Sequence, residues 1–385
     1  MANLFENWDA TKEALTDGLA GNKKAVMETV MENTKRALTE SASAGATMAG
    51  NVATLNKVIL PVIRRVMPTV IANELVGVQP MTGPVGQIHT LRVRYAETAA
   101  TATAGDEALS PFAIATGYAG NASTGKADAT ATLEGTAGRK LSIQILKQTV
   151  EAKSRKLSAR WTFEAAQDAQ AMHGLDVEAE IMAALAQEIT AEIDQEIIGS
   201  LSSLAGTASA TYAQNAVSGT ATFVGDEHAA LAVLINKAAN DIAARTRRGA
   251  GNWVVVSPTV LTVLQSATTS AFARTTEGPF EAPTNTKLVG TLNNSMKVYV
   301  NQYAANDDVL VGYKGSSESD AAAFYCPYVP LMSSGTVLDP DTFEPVVSFM
   351  TRYGYVELNN TASSLGNAAD YLNKIAVTSN ALSFS

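Results

Sequence analysis

Large apolar residues recur at every fourth position from Val177 to the end of one long run: Ile181, Leu185, Ile189, Ile193, Ile197 and Leu201 follow in turn. No Gly or Pro interrupts the run before Gly199. Asp176 stands where a cap is needed, and Glu178 and Glu180 suit the positive end of a helix dipole. The spacing predicts one long helix. Each step of four overshoots a turn by roughly 40°, so the stripe drifts about two-thirds of the way round. One flat sheet cannot cover such a stripe, and different neighbours are expected along its length. Its polar positions carry Glu178, Glu180, Glu188, Glu192, Asp194 and Glu196, with no Lys or Arg among them. They form either a solvated face or one that receives basic residues from another segment or another copy. The nearest basic segment is a short strand just upstream, with Lys153, Arg155, Lys156 and Arg160 around Leu157. One turn of helix near Thr162–Met172, broken at Gly174, lies between the two.

A chain of 385 residues can bury a large core and hold two domains or more. Aromatics (6%) and charged residues (17%) are scarce, and Ala, Thr, Gly and Ser replace them. A formal charge of −9 gives no global attraction to nucleic acid or an anionic membrane. The single cysteine, Cys326, excludes an internal disulfide framework and suits a reducing compartment. No apolar h-region and no membrane-length apolar run is visible, so a soluble intracellular product is expected.

Residues 1–40 read as helical, with Val26, Val30 and Leu38 on one side, and Ser41–Asn51 as a small-residue linker. Pro61 and Pro68 each suit the first turn of a short helix, and Arg64 and Arg65 sit in that apolar setting. They either snorkel to solvent or pair with acids of a neighbour. Val76–Gln87, rich in Gly and Pro, reads as a strap that is neither helix nor regular strand. Ile88–Tyr95 and Leu141–Ile145 alternate as half-exposed strands. The small-residue insert between them is too poor in apolar side chains to hold itself folded. A long hairpin arm is expected, its tip ordered only against something else. Ala205–Gly219 is a weak segment and a plausible domain boundary. From Asp226 helices alternate with strands: a helix stopped at Gly249, a buried strand at Trp253, a helix capped by Ser257-Pro258, a hairpin around Asn293-Asn294-Ser295, and a strand at Val309–Tyr313. Long β patterns return at Ala323–Leu331 and Phe343–Leu358. The last stretch, Ala362–Ser385, is polar apart from Ile375-Ala-Val377.

Gly120-Asn-Ala-Ser-Thr-Gly-Lys126 fits a phosphate-loop pattern, but Ala127 follows where a hydroxyl should hold the metal, and no buried strand precedes it. His89, His173 and His228 lie in unrelated segments without metal-ligand spacing. Cys326 has no nearby base or helix start to activate it. Asp339-Pro-Asp341 sits in a turn before a strand. Nothing points to an enzyme, and neither a catalytic residue nor a cofactor or metal site is assigned.

Several long motifs nevertheless resemble one family. The strap Val76–Gln87 preceded by Arg64-Arg-Val-Met-Pro68, the run Thr149-Val-Glu-Ala-Lys-Ser-Arg-Lys-Leu157 and the segment Glu164–Asp176 are similar to the major capsid protein of T4-like tailed phages. Val311-Gly-Tyr-Lys-Gly315, Tyr325-Cys-Pro-Tyr-Val-Pro-Leu331 and Phe349-Met-Thr-Arg-Tyr-Gly354 match it too, in order, from about residue 55 to about residue 380.

That resemblance implies an α+β, HK97-type capsid fold. It implies an N-terminal helix and arm (1–75), a strap and extended E-loop hairpin (76–150), a P-domain with its spine helix (151–204), an α/β A-domain (205–322), and a return to the P-domain with a C-terminal segment (323–385). Its function would be structural: hexamers and pentamers of this chain forming an icosahedral head around double-stranded DNA. The chain would be made in the host cytoplasm and end in the virion. Its partners would be itself, the portal, scaffold and decoration proteins, and DNA held without sequence-specific contacts, with no membrane. The acidic charge suits a lining that does not trap the genome. An encapsulin-like compartment shell shares the fold and is the alternative. The family's prohead protease cuts after a Leu/Ile-x-Glu sequence, which Leu38-Thr39-Glu40 fits. A chain beginning at Met1 is expected to keep its N-terminus, and its length implies no extra insertion domain. The candidate inter-subunit contacts are Arg64, Arg65, Arg155, Lys156, Glu188 and Glu192.

Overall fold

A computed structural model describes Trp8, Lys12, Glu13, Thr16, Gly21, 24–33, 71–106, Ala108, 116–135, 137–173, 177–213, 224–266, 272–274, 287–293, 295–318, 320–342, 344–358 and 367–378. Asp176, Arg64, Arg65, Leu38, Thr39, Glu40, Pro61 and Pro68 fall outside the described residues, and of the two proline-started helices only a turn at Ala72–Leu75, at the end of the second, is described.

The first sheet is built from chain-distant pieces. β1 (Gly77–Val78) runs parallel to β11 (Ala323–Ser333), which pairs antiparallel with β13 (Pro345–Glu357); β12 (Val337–Leu338) and β4 (Lys153–Arg160) also pair with β13. β2 (Val85–Tyr95) and β3 (Leu141–Glu151) form a separate antiparallel hairpin in continuous register, Val85 opposite Glu151 and Tyr95 opposite Leu141. The strap is therefore partly regular. Its ends belong to β1 and β2, and only the Pro80–Pro84 turn between them breaks the pattern.

The second sheet has the order β5 (Ala210–Tyr212), β14 (Leu372–Val377), β10 (Val309–Gly312), β6 (Trp253–Val256), β9 (Met296–Val300), β8 (Lys287–Leu292) and β7 (Phe272–Arg274). Two of these strands depart from expectation. The segment after Ala205 supplies an edge strand, and the C-terminal Ile375-Ala-Val377 sits between β5 and β10. The stretch 323–385 thus does not return wholly to the first sheet, because the backbone groups of 372–377 pair with β10.

The central strands of this sheet are apolar on both faces, as sheets covered on both sides are. Val254 and Val256 pack with α3 (Val224–Thr246) and α4 (Pro258–Ser266), while Trp253 and Val255 face the other way into the main core. Ser257 Oγ accepts from Val260 N–H at 3.3 Å, capping α4. Helix α3 stops earlier than Gly249. Arg247 takes the left-handed conformation (φ 49°) and its N–H reaches Ala243 O, so a charged residue does the work expected of glycine.

Helix α2 (Val177–Ala205) joins the two sheets, packing on β4 and β14. Leu185, Ile189, Ile193, Ile197 and Leu201 are all buried in one cluster that holds Val347, Phe349 and Tyr353 of the first sheet and Leu310 and Leu372 of the second. Val177 and Ile181 are only partly covered. The drifting stripe meets different neighbours along its length, and those named lie within the same chain. Preceding it, α1 (Phe163–His173) runs for 11 residues, longer than the single turn expected.

Candidate subunit-contact surfaces

Among the described residues the hairpin is anchored at its base alone. At its base Val150 packs with Met81, Phe324 and Cys326, Gln148 Nε2 donates to Glu357 O at 2.9 Å, and Ala152 N–H donates to Pro84 O at 2.9 Å. Further out β3 has nothing over it among the described residues. Leu141, Ile143 and Ile145 are 53%, 68% and 65% exposed and share one face at period two.

The tip holds itself together better than its composition predicts. Tyr95, Ala102, Ala108 and Tyr118 form a small cluster, with the two rings 4.5 Å apart. Tyr118 donates its hydroxyl to Lys140 O at 2.7 Å, and Arg139 Nη1 donates to the carbonyls of Tyr118 (2.7 Å) and Gly117 (3.0 Å). Two tyrosines and one arginine supply what the alanines and threonines lack.

The phosphate-loop pattern is spent inside this tip. Asn121 N–H donates to Lys126 O and Gly125 N–H to Asn121 O, while Asn121 Oδ1 accepts from the amides of Ser123 and Thr124. Four of the loop's groups are thus satisfied by its own turn, leaving no cradle of amides aimed at a ligand.

The acidic face of α2 divides into three environments. Arg155, on the face of β4 turned to the helix, donates to Glu192 at 2.6 Å and also to Glu196, while its Nε donates to Tyr353 at 2.6 Å. Tyr353 in turn donates to Glu196. Burial pushes the Glu196 carboxyl up, but the hydrogen bonds from Tyr353 and Arg155 outweigh it and hold the group below its ordinary range. Arg155 and Glu192, expected as contacts between subunits, therefore meet each other inside one chain. The cause is the β4–β13 register, which sets Thr351 opposite Arg155 and points both toward the helix.

Asp194 is not on a solvated face at all. It is buried, accepts Ile71 N–H at 2.9 Å through Oδ1, and has no partner at Oδ2 among the described residues. Burial pushes its carboxyl up to about 7, against the opposing pull of the Ile71 amide. Glu188 on the helix and Lys156 on the opposite face of β4 remain exposed, with no salt bridge among the described residues.

The segment after Ile71 is tied into the body at several points. Glu74 accepts from Lys297 at 3.0 Å, Lys314 donates to Asn73 O at 2.8 Å, and Glu318 accepts Val78 N–H at 2.9 Å. Lys314 belongs to the Val311–Gly315 motif, whose Gly312 lies against the indole of Trp253.

The remaining candidates carry structural roles. Cys326 is buried, and burial pushes its thiol up to about 11, away from reactivity. Asp339 Oδ1 accepts Asp341 N–H at 3.2 Å inside the turn. His228 Nδ1 is bonded to Ser266 Oγ, and His89 lies on the arm far along the chain. Among the described residues no group of three His, Cys, Asp or Glu side chains could hold a metal, and no helix is long and apolar enough to cross a membrane.

An outstretched apolar arm, a helix spanning two sheets and charged residues spent on internal ties define an α+β subunit. The chain belongs to the family of major capsid protein Gp23, whose model matches residues 52–381. The major capsid protein of Vibrio phage KVP40 is 29% identical over 95% of this chain and 96% of its own length. That of Enterobacteria phage T4 is 30% identical over 85% of this chain and 79% of its own. Among solved structures, one from Microbacterium phage Oxtober96 aligns over 80% of this chain and 90% of that chain at 12% identity, with a TM-score of 0.48, too distant to argue from. The chain is a subunit of a tailed-phage head shell, and the encapsulin-like alternative is not favoured.

Proposed function

We infer that each copy lays its hairpin across the first sheet of a neighbour, closing hexamers and pentamers into an icosahedral head around double-stranded DNA. The observation that supports this is the exposed ladder Leu141, Ile143 and Ile145 on a hairpin whose base is locked by Val150 and Gln148. In this reading the work is mechanical rather than enzymatic. Contacts weak enough singly to correct errors add up around a ring, where closure fixes the geometry. The strap and hairpin act as the E-loop, β4 with α2 and the first sheet as the P-domain, and the second sheet with α3 and α4 as the A-domain. Of the candidate contact residues, Glu188 and Lys156 are exposed and outside any salt bridge among the described residues, and we assign them to contacts between copies. Portal, scaffold and decoration proteins complete the head, and synthesis takes place in the host cytoplasm.

Deleting the hairpin tip, Gly105–Gly135, tests the reading. A soluble subunit that no longer makes stable particles by electron microscopy supports it. Normal particles from the deletion overturn it. Lys126→Ala serves as the companion variant: particles form as before, and a titration with adenosine triphosphate shows no heat of binding in either chain.

A further inference from the structure

Six acids stand on α2, and Asp194 alone is buried, at 1% exposure; Glu178, Glu180, Glu188, Glu192 and Glu196 face water. Its place on the helix decides this. Ile193, Ile197 and Ile198 flank it and lie in the main core cluster with Ile71, Leu75 and Tyr325. Oδ1 accepts Ile71 N–H at 2.9 Å, and Oδ2 meets no donor among the described residues. Held there, a carboxylate is far more costly than a neutral carboxyl unless a cation faces it. Among the described residues none does. Arg155, reaching α2 from β4, is spent on Glu192 and Glu196, and Tyr353 of β13 on Glu196. On the side of Ile71, Glu74 is held by Lys297 and Tyr299, and Lys314 by Glu318 and Asn73 O. From the second sheet, Lys374 of β14 pairs with Asp308. Tyr325 of β11 does feel Asp194, and the carboxylate only pushes that phenol further from ionising.

The bond from Ile71 to Asp194 closes a joint between three parts of the fold. Ile71 leads into the turn Ala72–Leu75, and β1 follows directly. Ile71, Ala72 and Leu75 are buried in the cluster that α2 crosses. β1 pairs with β11 of the first sheet, while Glu74 and Asn73 O are tied to Lys297 of β9 and to Lys314, just after β10 of the second.

We propose that Asp194 is a proton-operated latch on this joint: neutral, it keeps the turn seated against α2; ionised, it releases the turn and loosens its hold on both sheets. The seated turn keeps the carboxyl out of water, and the opened turn exposes it. The seated form therefore binds the proton more tightly, and opening gives it up. Each unit of pH above the ordinary aspartate value of 3.8 favours opening about tenfold, until the seated group itself ionises at about 7. The latch works within one subunit, however copies meet.

Hydrogen exchange of the full-length, unassembled subunit tests the latch between pH 5 and pH 8, read by mass spectrometry on fragments covering 71–78 and 253–256. The amides of Ile71, Glu74, Leu75 and Val76 report the turn, being bonded to Asp194, to Ile71 O (twice) and to Ala72 O. After correction for the intrinsic effect of hydroxide, their opening should rise about tenfold per unit from pH 5 to pH 7 and level off by pH 8. They should also open at least tenfold more often than β6, which reports unfolding of the whole subunit. Asp194→Asn should flatten the profile of the turn, and Asp194→Ser, a second neutral acceptor, takes its place if the asparagine chain misfolds. A flat profile in the unaltered chain overturns the latch. So does a slope that survives the neutral substitution, or protection of the turn equal to that of β6, which would mean that it opens only when everything does.

Discussion

Arg155 Nη1 lies 2.6 Å from Glu192 Oε2, and the same guanidinium holds Glu196 one turn further along α2. Both partners are about one-third exposed or more, so solvent screens the pair. Tyr353 makes it a network rather than an isolated bridge. A double-mutant cycle with Arg155→Ala and Glu196→Ala is expected to give a coupling of about 1 kcal/mol in low salt, smaller in 1 M salt. The depressed Glu196 carboxyl contributes stability above the ordinary glutamate value of 4.5 and loses it as pH falls below that. Urea unfolding of the unassembled subunit measures both, and zero coupling would reduce the contact to a geometric coincidence.

What the sequence made legible was whatever repeats. The stripe from Leu185 to Leu201, the alternation of β13 and the cap at Ser257 followed from spacing and local chemistry, and the structure places them accordingly. Single long-range contacts were not legible. Asn33 meets Met81 and Tyr328, residues with which it shares no local pattern. Asp194 looks like one more acid on an acidic helix until the Ile71 amide is seen beside it. β5 and β14 are short strands whose pairing depends on β10, far away in the chain.

Asp194 should shape the pH profile in the sense opposite to Glu196. Its carboxyl is raised from 3.8 to about 7, so the folded subunit binds the proton more tightly than the unfolded chain. Its favourable contribution is complete below pH 4 and is lost as pH rises toward 7. At 1.36 kcal/mol per pH unit the swing is on the order of 4 kcal/mol. Asp194→Asn keeps an acceptor for Ile71 N–H and removes the charge. It should raise the urea midpoint at pH 8 and leave it nearly unchanged at pH 4. Parallel midpoints for both chains across that range would show that Asp194 does not titrate in this window.

Gly312→Ala tests the joint between the Val311–Gly315 motif and the second sheet. A Cβ there would overlap the Trp253 ring, which is buried and cannot swing to solvent. Overpacking of this kind costs about 1–3 kcal/mol, and the upper end is expected because β6 and β10 are paired at this point. Thermal unfolding of the subunit reads it directly, with the melting point falling by several degrees. An unshifted melting point would mean that β6 and β10 can separate without penalty.

The arm separates assembly from folding most cleanly. Ile143 and Ile145 lie opposite Val93 and Leu91 in the hairpin register and are more than three-fifths exposed. Replacing both by Asp removes apolar surface that the subunit alone leaves in water, so its own stability should change by no more than about 0.5 kcal/mol. Across an interface the same change buries two carboxylates without partners, a cost of several kcal/mol repeated at every subunit of a ring. The expected result is a monodisperse, normally folded subunit by circular dichroism and gel filtration that yields no particles under conditions where the unaltered chain assembles. Particles in normal yield would show that the ladder faces solvent in the shell, and the partner of the arm would have to be sought on its other face.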